Sequence, residues 1–252
     1  MRSYIFTGVL YESLLRVTTS EQGIDLNSLL NIFNKEMMMA EFTEQQIQAN
    51  KTRFLDLVNG ITREGVDKER LIAQLTTSDF FDAPASAIYH NACRGGLCAH
   101  CLNVYDWLTK LVADAAAMTS QEPYSEDTIR IVALFHDFDK MNKYERSFRN
   151  VKVYSPTGSK FDEMGKFDWQ SVPSYKLKED SQVFSIGTHG ANSVYMTETF
   201  IPLSTEEHCA ILNHSGVYDN PKLNTTGIYS KYHLACLLHL ADMAATYVSE
   251  SQ

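Results

Sequence analysis

The run Ile131-Val-Ala-Leu-Phe-His-Asp-Phe138 decides the fold. A helix that is apolar around its whole circumference belongs inside a protein. This one nevertheless carries His136 and Asp137, close to the stripe formed by Ile129, Val132, Ala133 and Lys140. An ionised carboxylate buried without a partner costs several kcal/mol, or takes up a proton instead. Something cationic must compensate. A divalent metal can do so, because adjacent histidine and aspartate offer it one nitrogen and one oxygen.

Working outward, the same anomaly recurs twice. His100 lies on the stripe Leu97, Cys101, Val104, Leu108 and Leu111 of an amphipathic helix. Asp242 lies in the apolar run Leu234-Ala-Cys-Leu-Leu-His-Leu-Ala-Asp-Met-Ala-Ala245, with no basic neighbour. Three buried helices each contribute a group with metal-ligand chemistry, and these meet only if the helices pack around one centre. Plainer readings stay open at this level. A core histidine is commonly bonded to a backbone carbonyl, His239 and Asp242 sit three apart and could satisfy each other, and His136–Asp137 could belong to a structural polar network.

The remaining patterning predicts helices at about 43–59, 67–77, 97–118, 126–142, 190–200, 205–214 and 230–249. Asp67 caps one start, and Ser204 with Glu207 forms a capping box. Between about 146 and 186 the pattern alternates, as in Val151–Tyr154 and Ser174–Leu177. Pro156, Gly158, Gly165 and Pro173 punctuate it, which predicts a long excursion carrying one irregular β-hairpin. Residues 1–36 have weak periodicity and read as an appendage or as upstream sequence outside the domain, so 37–252 reads as the single main domain. The expected class is all-α, a helical bundle interrupted by this excursion.

Bulk properties bound the partners. The chain has 252 residues, 44% of them hydrophobic, and a formal charge of −9, which suits a sizeable core and disfavours duplex DNA. A single nucleotide or short strand end remains compatible. No run approaches the roughly 20 apolar residues of a membrane span, so no membrane partner is expected. Five cysteines, an odd number, favour reduced thiols and a cytoplasmic address. Cys98 and Cys101 form a CxxC within the first turn of the His100 helix. With no second such pair in the chain, it reads as neither a zinc knuckle nor a redox site. A homo-oligomer is compatible with the sequence.

The order His100, His136-Asp137, Asp242 resembles the HD-domain metal-dependent phosphohydrolase superfamily. Gly95-Gly-Leu-Cys-Ala-His100-Cys-Leu-Asn-Val104 looks like its "GGL..HSL.V" helix start, His136-Asp-Phe-Asp-Lys140 like "HDxxK", and Leu238-His-Leu-Ala-Asp242 like "LHxAD". Gly187-Thr-His189-Gly and Asn213-His214-Ser-Gly resemble elements of members with extra histidines, compact versions of which are often encoded by phages and prophages. The resemblance covers about residues 80–250. It implies an HD-type helical bundle and a metal held by His100, His136, Asp137 and Asp242. It also implies a bridge by Asp137 to a second metal held with His189 and His214. Mixed imidazole and carboxylate donors suit Mn²⁺, Fe²⁺, Co²⁺, Ni²⁺ or Zn²⁺.

The implied activity is hydrolysis of a phosphoester or phosphoanhydride in a nucleotide or other small phosphate ester, with Asp137 and Lys140 as catalytic residues. Lys140 is expected near phosphate. Lys143, Arg146 and Arg149 follow it at a spacing of three and are candidate substrate contacts, as is His90, which could equally support the site from behind. Two other functions remain open: trimming of RNA or single-stranded nucleic acid from its 3′ end, and a non-catalytic scaffold binding a nucleotide or a protein partner. Asp139 departs from the pattern, since relatives commonly have a small residue there. Ala99 and Arg94 stand where acidic residues are frequent, which puts the substrate class in doubt.

Overall fold

A computed structural model describes residues 41–120 and 122–250. The expectation for residues 1–36 lies outside them. Among the described residues there are eight α-helices and one small three-stranded sheet, so the chain is mostly helical. No helix among them is long and apolar enough to cross a membrane. The chain divides into two compact units. One holds 41–147 and 173 onward, and the other contains Phe148–Val172.

In the larger unit, most helices begin where their sequence supplies an oxygen for the unpaired N–H groups of a first turn. The first helix, α1 (Glu44–Asn59), starts at a capping box between Thr43 and Gln46. Asp67 caps α2 (Lys68–Thr77), and Ser125 caps α4 (Glu126–Phe135). The long helix α3 (Gly96–Thr119) instead starts at Gly95, whose φ of 81° lies in the left-handed region. Gly96 follows because a Cβ there would stand 2.0 Å from the Asn91 carbonyl oxygen. The Gly-Gly pair therefore sets where α3 enters the core, and with it the position of His100.

Thr188 caps α5 (His189–Glu198). The expected Ser204–Glu207 capping box starts α6 (Thr205–Asn213). The C-terminal part holds α7 (Thr225–Lys231) and α8 (His233–Ala244), the latter followed by one wide π-helical turn over Ala245–Ser249.

Two boundaries differ from expectation. The helix read over 126–142 stops at Phe135. Asp137 has left helical geometry (φ −107°, ψ 23°), and a tight turn over Phe138–Lys140 follows. Asn142 then takes φ 61°, a conformation asparagine tolerates. Its N–H donates to Asp79 Oδ1 at 2.6 Å, which ties the turn to a distant loop. The helix read over 230–249 is likewise broken at Tyr232, and α7 was not foreseen, although Asn224 provides an ordinary cap for it.

Two apolar clusters build the core. Phe54, Phe80, Phe81, Phe135 and Phe138 pack edge-to-face around one. Val104, Leu108, Val132, Ile211, Leu234 and Leu238 fill the other between α3, α4, α6 and α8. The buried polar residues sit among these helices.

The excursion is a sheet of three strands rather than a single hairpin: β1 (Tyr144–Tyr154), β2 (Lys160–Asp162) and β3 (Gly165–Leu177), in the order β1-β3-β2. Strands β2 and β3 pair antiparallel, with Lys160 opposite Phe167 and Asp162 opposite Gly165. The alternating segments Val151–Tyr154 and Ser174–Leu177 lie on β1 and β3, as their patterning requires.

Candidate metal centre

The centre is assembled from helix ends. His136 and His214 each occupy the position just past the last residue of a helix, α4 and α6 respectively. The final carbonyls of a helix have no intrahelical partner. Here the imidazoles supply one: His136 Nδ1 donates to the Ala133 carbonyl at 2.8 Å, and His214 Nδ1 donates to the Ile211 carbonyl at 2.7 Å. Because a carbonyl only accepts, Nδ1 carries the proton in both rings and Nε2 keeps its lone pair.

At His100 and His189 a carboxylate holds the outer nitrogen instead. His100 Nδ1 lies 3.1 Å from both oxygens of Glu250, which also accepts from Asn103 Nδ2 at 2.8 Å. His189, the first residue of α5, has Nδ1 2.5 Å from Asp139 Oδ1. Four rings from four helices thus have their outer nitrogens occupied and their Nε2 atoms turned inward. Such outer partners orient ligand imidazoles and raise their basicity.

The Nε2 atoms meet the carboxylates of Asp137 and Asp242. The Nε2 atoms of His100 and His136 are 3.2 Å apart, and His100 Nε2 is 3.3 Å from Asp242 Oδ1. Asp137 is all but fully buried, and its two oxygens divide the site. Oδ2 faces His100 and His136, each at 3.4 Å. Oδ1 faces His189 at 2.6 Å and His214 at 3.4 Å. The ligating atoms of His100, His136 and Asp137 all lie within 4.8 Å of one another, as do those of His136, His214 and Asp242, and those of Asp137, His189 and His214. The Ser215 hydroxyl donates to His214 Nε2 at 3.0 Å.

The charges show what this arrangement lacks. Asp137, Asp139, Asp242 and Glu250 bring four carboxylates, while Lys140 and Lys143 bring two ammonium groups. Lys140 Nζ lies 2.7 Å from Asp137 Oδ2, and Lys143 Nζ lies 2.6 Å from Asp139 Oδ2. With neutral imidazoles the site therefore holds two uncompensated negative charges. The electrostatics of the site favour added positive charge. Burial disfavours an imidazolium at His100, but Glu250 and Asp242 outweigh it and lift the ring to about 10. Burial likewise opposes charge on His189, and Asp139 and Asp137 raise it to about 9. Asp137 and Asp242 are held below the carboxylate range by Lys140 and the facing imidazoles, against the cost of burial. Paired lone pairs about 3 Å apart, with carboxylates between them, fit divalent cations: the donors are nitrogen and oxygen, and their outer atoms are already committed.

The structure brings six expected ligand residues together: His100, His136, Asp137, His189, His214 and Asp242. The suggested His239–Asp242 pairing does not form, because His239 Nδ1 donates to the His214 carbonyl at 2.6 Å instead. Cys98 and Cys101 are buried free thiols, and burial pushes Cys98 up to about 12. His90 stacks near His100, with ring centroids 4.8 Å apart, and its buried Nε2 has no hydrogen-bond partner.

The expected row of cations does not extend along one face, because residues from Tyr144 onward form a strand. A spacing of three then alternates sides instead of aligning. Lys143 is paired with Asp139. Arg146 lines a separate cavity of about 270 Å³ with Arg94, Tyr144 and Tyr175. Arg149 is exposed on β1 and belongs to the other unit. Asp139 and Glu250 were missed as supporting residues. Asp139 could have been found from its spacing to Lys143, four residues on, whereas nothing local marks Glu250.

No family model matches this chain, and no curated protein or solved structure does so either.

Proposed function

We infer that the chain is a metal-dependent phosphohydrolase of the HD type, acting on a phosphoester or phosphoanhydride of a nucleotide or other small phosphate ester. The observation that carries this reading is the division of the Asp137 carboxylate, one oxygen toward His100 and His136 and the other toward His189 and His214. A buried carboxylate shared by two sets of inward Nε2 lone pairs is suited to hold two divalent cations side by side. On this reading His100, His136, Asp137 and Asp242 hold one, and Asp137, His189 and His214 hold the other.

Bound cations of this kind supply a water acidic enough to attack phosphorus near neutral pH and neutralise charge on phosphate oxygens. The chain's own groups do the rest. Glu250 and Asp139, together with the Ala133 and Ile211 carbonyls, hold the outer nitrogens and aim every Nε2 inward, and bound cations would replace the protons that His100 and His189 otherwise carry there. Lys140, mostly buried and held in its charged form by Asp137 despite the burial, places a fixed ammonium beside the reacting region, where it offsets charge gathering on phosphate.

The test is release of phosphate or triphosphate from a panel of nucleotides with Mn²⁺, Co²⁺, Ni²⁺, Fe²⁺ or Zn²⁺ added singly. Turnover should require metal and fall at least about 1,000-fold in His136→Ala and Asp137→Ala proteins that keep their helical circular dichroism. Full activity in the presence of chelator, or in folded Asp137→Ala protein, sinks the reading.

A further inference from the structure

Beside the metal centre, and opening onto His189, lies a cavity of about 170 Å³ whose lining includes Lys143, Lys178, Phe184, Ser185 and Asn192. Its lining is mixed, with charged groups that include Asp180 and one large ring. Two of the charged groups are ammoniums. Lys143 Nζ bonds to Asp139, and Lys178 Nζ donates to the Asn142 carbonyl at 2.8 Å, so each keeps donors to spare. The ring is Phe184, 44% exposed although it is a large apolar side chain. Its ring is stacked on Tyr195 of α5, with centroids 5.2 Å apart and planes 25° from parallel. Tyr195 therefore braces one face of Phe184 from behind.

The loop carrying Phe184 is built to hold this pose. Glu179 and Gln182 close a turn before it. After it, the buried Asn192 side chain accepts from the Ile186 N–H at 2.8 Å. A ring that is both fixed and partly exposed presents a flat apolar platform, and every nucleobase has a flat face to match.

We propose that this cavity is the nucleotide subsite, with the phosphate end between the metal centre and Lys143 and Lys178, and the base stacked on Phe184. The inference rests on the hydrolase reading above and narrows it: the substrate is a nucleotide, and the loop 178–188 recognises its base. Stacking on one face reads shape rather than base-edge hydrogen bonds, so discrimination among bases is weak.

Two measurements test it. The first compares wild type with Phe184→Ala on two metal-supported reactions, hydrolysis of a nucleoside monophosphate and of ribose 5-phosphate, which lacks the base. The variant should raise KM for the nucleotide about 10- to 100-fold, leave its kcat within about twofold, and leave ribose 5-phosphate turnover unchanged. The second needs no turnover. Phe184→Trp places an indole on the platform, and adding a nucleoside monophosphate with Mn²⁺ should quench its fluorescence, whereas ribose 5-phosphate should not. An equal loss on both substrates in Phe184→Ala, or no base-dependent quenching in Phe184→Trp, overturns the proposal while the hydrolase reading stands. Metal-independent phosphate release would overturn that reading instead, and base-dependent quenching would still identify the subsite.

Discussion

At the scale of single residues, the centre shows how a histidine is told which nitrogen to offer. His136 and His214 answer to the unpaired carbonyls at the ends of α4 and α6, and His100 and His189 answer to Glu250 and Asp139. Glu250 is the most instructive because it lies eight residues past Asp242, beyond the wide turn at Ala245–Ser249, and faces the back of His100 rather than the centre. We expect Glu250→Gln to weaken Mn²⁺ or Co²⁺ binding about 10- to 100-fold, and also to lower the urea midpoint of the metal-free protein, where Glu250 holds His100 in its charged form. Unchanged affinity in a metal titration would show that His100 needs no such support.

At the scale of elements, α6 is anchored by an ion pair far from the metal centre. Arg63 meets Glu207 in a two-point contact at 2.5 and 2.6 Å, and Glu207 also accepts from the Ser204 N–H that starts the helix. Burial opposes the Glu207 charge, but Arg63 and the cap outweigh it, and its pKa is lowered from 4.5. A carboxyl depressed by folding contributes its full stability above the unfolded value and loses it as pH falls through the folded one. Glu207→Gln should therefore cost about 2–3 kcal/mol at pH 7, with the gap from wild type closing below about pH 4.5 as both carry a neutral side chain. Urea unfolding of both proteins at pH 7, 5 and 3.5 measures this. A gap that stays constant over that range would assign the cost to shape rather than charge.

At the scale of the molecule, the six candidate ligand residues span positions 100 to 242 and sit on or at the ends of five helices, so a cation held by them would cross-link most of the larger unit. Anything that binds only the folded state stabilises it in proportion to the logarithm of its concentration over its Kd, about 2.7 kcal/mol at a hundredfold excess. For a chain of this size that raises the melting temperature by about 5–10 °C. Scanning calorimetry of chelator-treated protein, with and without each divalent ion, should show the rise for at least one of them. Identical melting with all five would remove the cross-link and the metal reading with it.

What the sequence determined by itself is the set of contradictions to be resolved. Apolar helices bearing His100, His136-Asp137 and Asp242 could not be buried without partners for those groups, and periodicity placed both ends of the His100 helix and the start of the His136 helix within a residue, while the other three ends missed by three to seven. The Gly95-Gly96 pair and the Ser204–Glu207 box were legible because their reasons are local: a forbidden Cβ and an unpaired N–H. Tertiary structure decided what depends on distant groups. The helix of 126–142 stops at Phe135, and the turn that follows is tied through Asn142 to Asp79, sixty-three residues away. Glu250 finds His100 across one hundred and fifty, and the cations after Lys140 scatter because a strand, not a helix, carries them. Side-chain period reports which face a residue takes on its own element. Only packing decides which elements face one another, and the direction of each Nε2 lone pair follows from that.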